Sequence, residues 1–314
     1  MAGGEHGSTE SGGAILAAFM ANMGIGAAKL VGFAITGSSS LLAEAIHSVA
    51  DSSNQMLLFF GGRRARRPPT ELHPFGFGRS RYFWAFVVAV VLFSAGGLFS
   101  AYEGIHKIQH PEEISSPIVA FAIFAVAIVF EGFALRTAAR HARPHRGERS
   151  WFTYIRTSRS PELPVLLLED SGALIGLFLA TTGVALAVIT GNPVFDGVGT
   201  LAIGILLMAI AAVLASEMKS LLLGEAATAE QIERIETEIA AVPAVERVIH
   251  VLTQHLGPEE LLVATKVELD RSLSVPEVAA AINECEARIR AAVPIARRIY
   301  IEPDLTEPES PPTS

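Results

Sequence analysis

Cysteine is almost absent from this chain of 314 residues, and charged side chains are scarce. The single cysteine, Cys285, excludes an intramolecular disulfide framework and any cysteine-based metal cluster within one chain. Charged residues make up 18% of the sequence, whereas a typical soluble protein has about 25%. Because hydrophobic residues make up 50% and the mean hydropathy is +0.42, the composition is that of a membrane protein.

The chain also lacks the basic residues that nucleic-acid-binding proteins and N-terminal targeting segments carry. Residues 1–219 carry 16 Lys and Arg against 15 Asp and Glu, while residues 220–314 carry 8 against 17. This balance offers no basic excess for nucleic acid, so no nucleic-acid partner is expected. The first 13 residues contain no Lys or Arg, so neither a secretory signal nor a transit peptide is expected there. The asymmetry predicts an apolar front part followed by an acidic, water-soluble domain.

Long apolar runs dominate the front part. About 20 apolar residues are needed to cross a hydrocarbon core of about 30 Å. Six segments meet this length, and turn-forming residues such as those at 191–193 separate them. The predicted spans are 14–36, 39–61, 82–106, 117–138, 162–190 and 194–217.

The arginines of the connecting loops predict the orientation of these spans. The loops 62–81 and 136–160 together hold thirteen arginines, whereas the three opposite loops hold only Lys107. Lys and Arg concentrate in cytoplasmic loops, so both termini are expected in the cytoplasm. The expected location is the cell inner membrane, with the lipid bilayer as a partner of every span.

The periodicity changes after Gly224 and predicts a small α+β domain. Thr228 with Gln231 and Ser274 with Glu277 form two capping boxes, each of which opens a helix. Strands are predicted at 245–255, 261–269 and near 298–301, which gives the order αββαβ of a ferredoxin-like domain. Cys285 falls on the apolar stripe of the second helix and is expected to be a core residue. The expected divisions are 1–13 (disordered), 14–222 (transmembrane), 226–304 (cytoplasmic αββαβ) and 305–314 (disordered).

Ionisable residues inside the second and fifth spans are the candidate functional residues, because charge within a bilayer is costly. Glu44, His47 and Asp51 are spaced three and four apart, so they share one face of a helix. A His and an Asp four apart can close on one divalent ion, although a His–Asp pair that merely joins helices has the same spacing. The adjacent Glu169 and Asp170 need a metal, protons or a cation to compensate their charge. Lys29 is expected to extend towards the membrane surface, which leaves a metal at His47, Asp51 and Asp170 as the best solution.

Two motifs resemble those of the cation diffusion facilitator family. They are TGSSSLLAEAIHSVADSSNQ at 36–55 and HPFGFGR at 73–79. The predicted six spans and the αββαβ tail also match, so the resemblance covers nearly the whole chain. It implies a homodimeric, proton-coupled exporter of divalent metal, chiefly zinc, with a four-ligand site shared by the second and fifth spans. YIRTSRSP at 154–161 and LLLED at 166–170 are similar to the zinc transporter 9 branch of the family.

Three departures from the family pattern limit what the resemblance implies. Leu166 stands where a fifth-span ligand is usual, so Glu169 is the candidate replacement. Phe77 stands where a loop metal site needs a histidine, so that site is expected to be absent. The usual histidine-rich set of the tail is reduced to His250, His255, Glu302 and Asp304.

Alternatives to proton-coupled export follow from the same residues. A membrane metal sensor or scaffold would bind the ion without moving it. An intramembrane metalloenzyme usually needs a His-Glu-x-x-His arrangement, which the sequence lacks, so no enzyme and no resident cofactor are expected. One histidine with carboxylates is a harder ligand set than two histidines, which leaves Mn²⁺, Fe²⁺ and Co²⁺ as alternatives to zinc.

Overall fold

The computed structural model describes residues 22–304. The predicted disordered segments at 1–13 and 305–314, and the beginning of the first predicted span, lie outside these residues. The chain divides into two compact units. The first unit runs to Arg63 and resumes from Phe83 to Lys219, and the second takes Arg64–Tyr82 and resumes at Ser220.

The first unit is entirely helical in its described part. Residues 22–36 form helix α1, and Ser39–Ala65 form α2. Helices α3 (Ser80–Val91) and α4 (Phe99–Gln109) join through a π-helical turn at Leu92–Leu98. The remaining helices are α5 (Pro117–Arg146), α6 (Trp151–Thr157), α7 (Glu162–Thr190) and α8 (Val194–Leu223).

Four helical segments within residues 22–304 are long and apolar enough to cross a membrane. They are Ser80–Gln109, Pro117–Arg146, Glu162–Thr190 and Val194–Leu223. Helix α2 has the length but carries too many polar residues, and only 15 residues of α1 are described. Four of the six predicted spans therefore stand as clear apolar spans, and the count of six remains a prediction.

Close packing between α4 and α8 depends on glycine. A Cβ at Gly104 would come within 2.9 Å of the carbonyl oxygen of Gly197 and would also collide with the backbone of Leu201. A Cβ at Gly204 would meet the carbonyl oxygen of Gly97 at 2.9 Å. These contacts are between backbones, so a side chain at either position would force the helices apart.

The second unit contains a three-stranded sheet and two helices in the predicted αββαβ order. Helix α9 (Ala229–Ala240) precedes β1 (Val245–Gly257) and β2 (Glu260–Leu269), and α10 (Val275–Ala292) precedes β3 (Ala296–Asp304). Strand β2 is central, antiparallel to β1 and parallel to β3.

Both predicted capping boxes are present, at Thr228 with Gln231 and at Ser274 with Glu277. The core of this unit lies between the sheet and the apolar stripes of α9 and α10. Ile235 and Ile239 of α9 pack there with Cys285 and Ile289 of α10. Cys285 is 1% exposed, and burial raises the pKa of its thiol, so it is a core residue as predicted.

Candidate metal centre

A carboxylate from α8, a helix far along the chain, holds the polar start of α2. Asp196, on α8, accepts hydrogen bonds from the backbone N–H groups of Ser39 (2.9 Å) and Ser40 (3.4 Å) and from the hydroxyl of Ser38 (3.0 Å). The first N–H groups of a helix have no partner within it, and the positive end of the helix favours a negative charge. Asp196 therefore fixes the beginning of the helix that carries Glu44, His47 and Asp51.

His47 and Asp51 lie one turn apart on α2, as the spacing predicts. Nε2 of His47 is 3.5 Å from Oδ2 of Asp51. His47 is 1% exposed, yet neither of its ring nitrogens has a hydrogen-bond partner among residues 22–304. Oδ1 of Asp51 is also buried without a partner in this part of the chain. Unpartnered buried nitrogen and oxygen atoms are costly, and they are also the atoms that bind a divalent metal.

Glu169 and Asp170 enter α7 with different surroundings. Oε1 of Glu169 accepts a hydrogen bond of 2.7 Å from Nδ2 of Asn54, one turn beyond Asp51 on α2. Asp170 is half-buried, and its Oδ2 atom has no hydrogen-bond partner within the described residues. Leu166, at the position of the missing ligand, packs instead beside an apolar cluster that joins α5, α6 and α7.

Lys29 is buried, which contradicts the prediction that it extends towards the membrane surface. Its ammonium group is 2.9 Å from Oε2 of Glu44, 2.9 Å from the hydroxyl of Ser48 and 4.0 Å from Oε1 of Glu131. The side chain is 0% exposed. Two carboxylates on neighbouring helices compensate the charge of the ammonium inside the protein, so the side chain does not need to reach water at the membrane surface. Lys29 therefore links α1 to α2 and α5.

Glu44 and Glu131 thus differ from the other carboxylates in having a cation nearby. A Cβ at Gly176 would come within 2.7 Å of Oε1 of Glu44, so α7 packs closely against this carboxylate. The cation beside Glu131 is Lys29 of α1.

The predicted ligands do not form a closed set in this structure. No group of three or more His, Cys, Asp or Glu side chains within residues 22–304 is arranged to hold a metal ion. The structure brings His47 together with Asp51 and ties Glu169 to Asn54. Asp170 joins neither pair through a hydrogen bond or an ion pair among the described residues. The four-residue site therefore remains a prediction.

The candidate ligands of the tail have other contacts. Asp304 and Glu302 lie 2.8 and 3.3 Å from the ammonium of Lys266, and their hydrogen bonds raise its pKa. Nδ1 of His255 is 3.3 Å from the carbonyl oxygen of Gly257. In the loop between α2 and α3, His73 packs its ring 4.6 Å from that of Phe77 and exchanges backbone hydrogen bonds with Thr70.

Sequence reasoning missed two contacts of the membrane unit, those of Asn54 and Asp196. Asn54 lies within the second-span motif, and its spacing of three from Asp51 places it on the same face of α2. That spacing was a usable signal. The contact of Asp196 with the start of α2 joins residues 157 apart, and no local pattern reports it.

Comparison with known proteins shows which family this chain resembles. Residues 15–223 match the family described as cation efflux transmembrane domain, and residues 227–304 match the cation efflux protein, cytoplasmic domain. The chain is 34% identical over 244 residues to the mitochondrial proton-coupled zinc antiporter SLC30A9 of Xenopus laevis and to that of Homo sapiens. The match covers 77% of this chain, but 44% and 43% of those proteins. It is also 32% identical over 121 residues to the zinc transporter ZitB of Pectobacterium atrosepticum, covering 38% of each chain.

The chain therefore spans less than half the length of the antiporters that it resembles. The transmembrane match extends over most of the chain, and the cytoplasmic match covers the αββαβ domain. This multi-pass membrane protein belongs to the cation efflux family, a family of transporters and not of enzymes.

Proposed function

We propose that this protein exports divalent metal, most directly zinc, from the cytoplasm in exchange for protons. The observation that carries the proposal is a set of buried ligand atoms in the helical unit that have no hydrogen-bond partner within residues 22–304. Both ring nitrogens of His47, Oδ1 of Asp51 and Oδ2 of Asp170 belong to this set. A packed membrane domain retains such atoms at a cost, and a function explains their presence.

The ion is held by His47, Asp51, Asp170 and Glu169. Glu169 replaces the ligand that is missing at position 166, where this chain has a leucine. To reach the ion, the Glu169 carboxylate breaks its hydrogen bond with Asn54. The hydrogen bond between Glu169 and Asn54 then belongs to one arrangement of α2 and α7, and binding of the ion replaces it with a bond from Glu169 to the metal. Alternating access requires two such arrangements of the same helices.

Proton coupling follows from the chemistry of these ligands. A histidine must be neutral to bind metal, so a proton on His47 and a bound ion exclude each other. Carboxylates that lose the ion within hydrocarbon are too costly to remain charged together, and protons replace the metal. An inward proton gradient therefore drives release of metal outside and binding of metal inside. The names of the SLC30A9 relatives describe the same coupling.

The protein acts as a homodimer in the cell inner membrane, with both termini in the cytoplasm. The arginine-rich loops at 62–81 and 136–160 support this orientation. The αββαβ domain provides part of the dimer contact, and metal or counterions reduce the repulsion between two acidic tails. Light scattering of the detergent-purified protein should give a dimer, and a strict monomer at every metal concentration would reject this assembly.

Flux into liposomes with a panel of metals under an imposed pH gradient tests the function. Zn²⁺ should cross, with Mn²⁺, Fe²⁺ and Co²⁺ as competitors, because one histidine with carboxylates is a hard ligand set. Metal-dependent change in the tail without any flux would make the protein a sensor or scaffold.

Two variants separate the role of Glu169 from the overall function. Glu169→Ala should weaken transport or alter the choice of metal, whereas Leu166→His should raise the flux of zinc. If Leu166→His raised zinc flux and Glu169→Ala had no effect, Glu169 would not be a ligand.

A further inference from the structure

A cavity of about 460 Å³ lies within the second compact unit, and none of the predicted metal ligands lines it. The loop between α2 and α3 and the αββαβ domain both line it. The two segments pack closely at Gly78, where an added Cβ would come within 2.6 Å of the carbonyl oxygen of Leu256. Five arginines face this cavity, and we call them the arginine cluster: Arg66, Arg67, Arg81, Arg297 and Arg298.

The arginine cluster carries more positive charge than the glutamates beside it neutralise. Arg298 lies 3.1 Å from Glu260, and Arg81 lies 3.4 Å from Glu259. These two carboxylates also line the cavity. The other three members of the cluster form no ion pair within residues 22–304, so the cavity remains positive inside an otherwise acidic domain.

Membrane orientation does not account for the whole cluster. Arginines in a short loop between spans are expected on the cytoplasmic side, and Arg63 and Arg64 satisfy that rule without lining the cavity. Arg297 and Arg298 belong to β3, far along the chain from any span. Their convergence with Arg66 and Arg67 is a property of the fold, and a guanidinium offers paired donors that match the oxygens of phosphate.

Three arginines of the cluster adjoin helices of the membrane unit, which indicates one source of a phosphate ligand. Arg66 and Arg67 directly follow the last residue of α2, and Arg81 lies in the first turn of α3. Basic residues immediately beyond a membrane helix meet the headgroups of anionic lipids. Phe75 and Phe77 add apolar surface to the wall of the cavity.

We propose that the arginine cluster binds a phosphate group, carried either by an anionic phospholipid or by a soluble phosphate compound. This site is separate from the metal ligands, and its occupancy does not depend on the proposed transport. The shared chemistry is a phosphate with two or more free oxygens, held by arginines that the protein itself leaves without a carboxylate.

Binding to the full-length protein in detergent tests the proposal with two probes. Native mass spectrometry measures retention of phosphatidylglycerol against phosphatidylcholine, and calorimetry measures binding of inorganic phosphate. The Arg67→Gln/Arg297→Gln variant should weaken binding about tenfold or more, because each lost arginine removes charge-assisted hydrogen bonds. Arg64→Gln/Arg140→Gln removes the same charge from exposed positions outside the cavity and should retain full binding.

Each outcome has a defined meaning. Selective loss of phosphatidylglycerol in the cavity variant identifies a lipid headgroup, and selective loss of inorganic phosphate identifies a soluble ligand. The Arg67→Lys/Arg297→Lys variant keeps the charge and the fold but loses the paired donors, so its binding should be intermediate. The proposal would be wrong if the wild-type protein bound neither probe. It would also be wrong if Arg67→Gln/Arg297→Gln bound both probes as well as the wild type and the Arg64→Gln/Arg140→Gln control do.

Discussion

His47 combines near-complete burial with two ring nitrogens that bond to nothing in the described chain. Replacing such a side chain removes no hydrogen bond, so the fold should tolerate the change. We predict that His47→Ala, Asp51→Asn and Asp170→Asn each abolish metal flux into liposomes. The unfolding midpoints of the two Asp→Asn variants in detergent should match that of the wild type or exceed it, whereas that of His47→Ala should fall because the change leaves a cavity.

Ser53 provides the control for these variants. It lies on α2 between Asp51 and Asn54 but is exposed, and among the described residues its hydroxyl bonds only to the carbonyl oxygen of Val49. Ser53→Ala should retain full flux. Full flux in Asp51→Asn or Asp170→Asn would remove that residue from the site.

Lys29 is a fully buried cation of the helical unit, and its removal should be costly. Lys29→Met leaves Glu44 and Glu131 without the ammonium group between them, and an uncompensated buried charge costs about 3–5 kcal/mol. We predict a clear fall in the unfolding temperature of the detergent-purified variant. The double variant Lys29→Met/Glu44→Gln should recover much of the loss, because it removes the charge that the first change leaves unpaired.

An alternative outcome is simple to recognise. If Lys29→Met unfolded at the temperature of the wild type, the ammonium would contribute no net stability at this position. The ion pair with Glu44 would then have only a functional role.

The position of Lys29 shows where sequence reasoning stops at the scale of the residue. The spacing of Glu44, His47 and Asp51 was sufficient to place them on one face of α2. Whether Lys29 reaches outward or inward depends on carboxylates that other helices bring to it, and no pattern within α1 contains that information. The same holds for Asp196, which caps a helix far away along the chain.

Between elements, the contact of α4 with α8 makes the sharpest prediction. Gly104→Ala adds a methyl group against backbone atoms of Gly197 and Leu201, and overpacking of this kind costs about 1–3 kcal/mol. Gly132 on α5 has no atom within 4 Å of an added Cβ. Gly132→Ala should therefore be neutral or slightly stabilising. Equal unfolding midpoints for the two variants would show that α4 and α8 separate without cost.

The αββαβ domain makes a second prediction at this scale, which concerns its thiol. Cys285 is the single cysteine of the chain, is nearly fully buried, and has its pKa raised by burial. A water-soluble thiol reagent should not label the native protein at neutral pH, and it should label one thiol per chain after denaturation. Stoichiometric labelling of the native protein would place Cys285 outside the core.

The domain also shows how far sequence reasoning reaches at the scale of the element. Its element order, both capping boxes and its buried cysteine followed from the sequence, because helical and strand periodicities are local. The count of six spans is less secure, because α2 is helical but too polar to pass as an apolar span. The candidate ligands of α2 are among the residues that reduce its hydropathy.

At the scale of the whole molecule, the acidic tail and the arginine-rich loops have opposite charge. Residues 220–314 carry an excess of carboxylates, whereas 62–81 and 136–160 carry thirteen arginines. The positive-inside rule predicts from this distribution that the arginine-rich loops face the cytoplasm.

Coupling between metal and protons is the central claim for the whole molecule. Metal uptake into inside-out vesicles, with a pH gradient imposed and then collapsed, measures it most directly. Acidic vesicle lumens should drive uptake of Zn²⁺, because protons displace the ion from His47 and the carboxylates on the acidic side. Uptake should stop when the gradient collapses, and metal binding in weakly buffered detergent should release protons. Uptake that ignored the gradient, with no proton release on binding, would contradict exchange and leave a uniporter or a sensor.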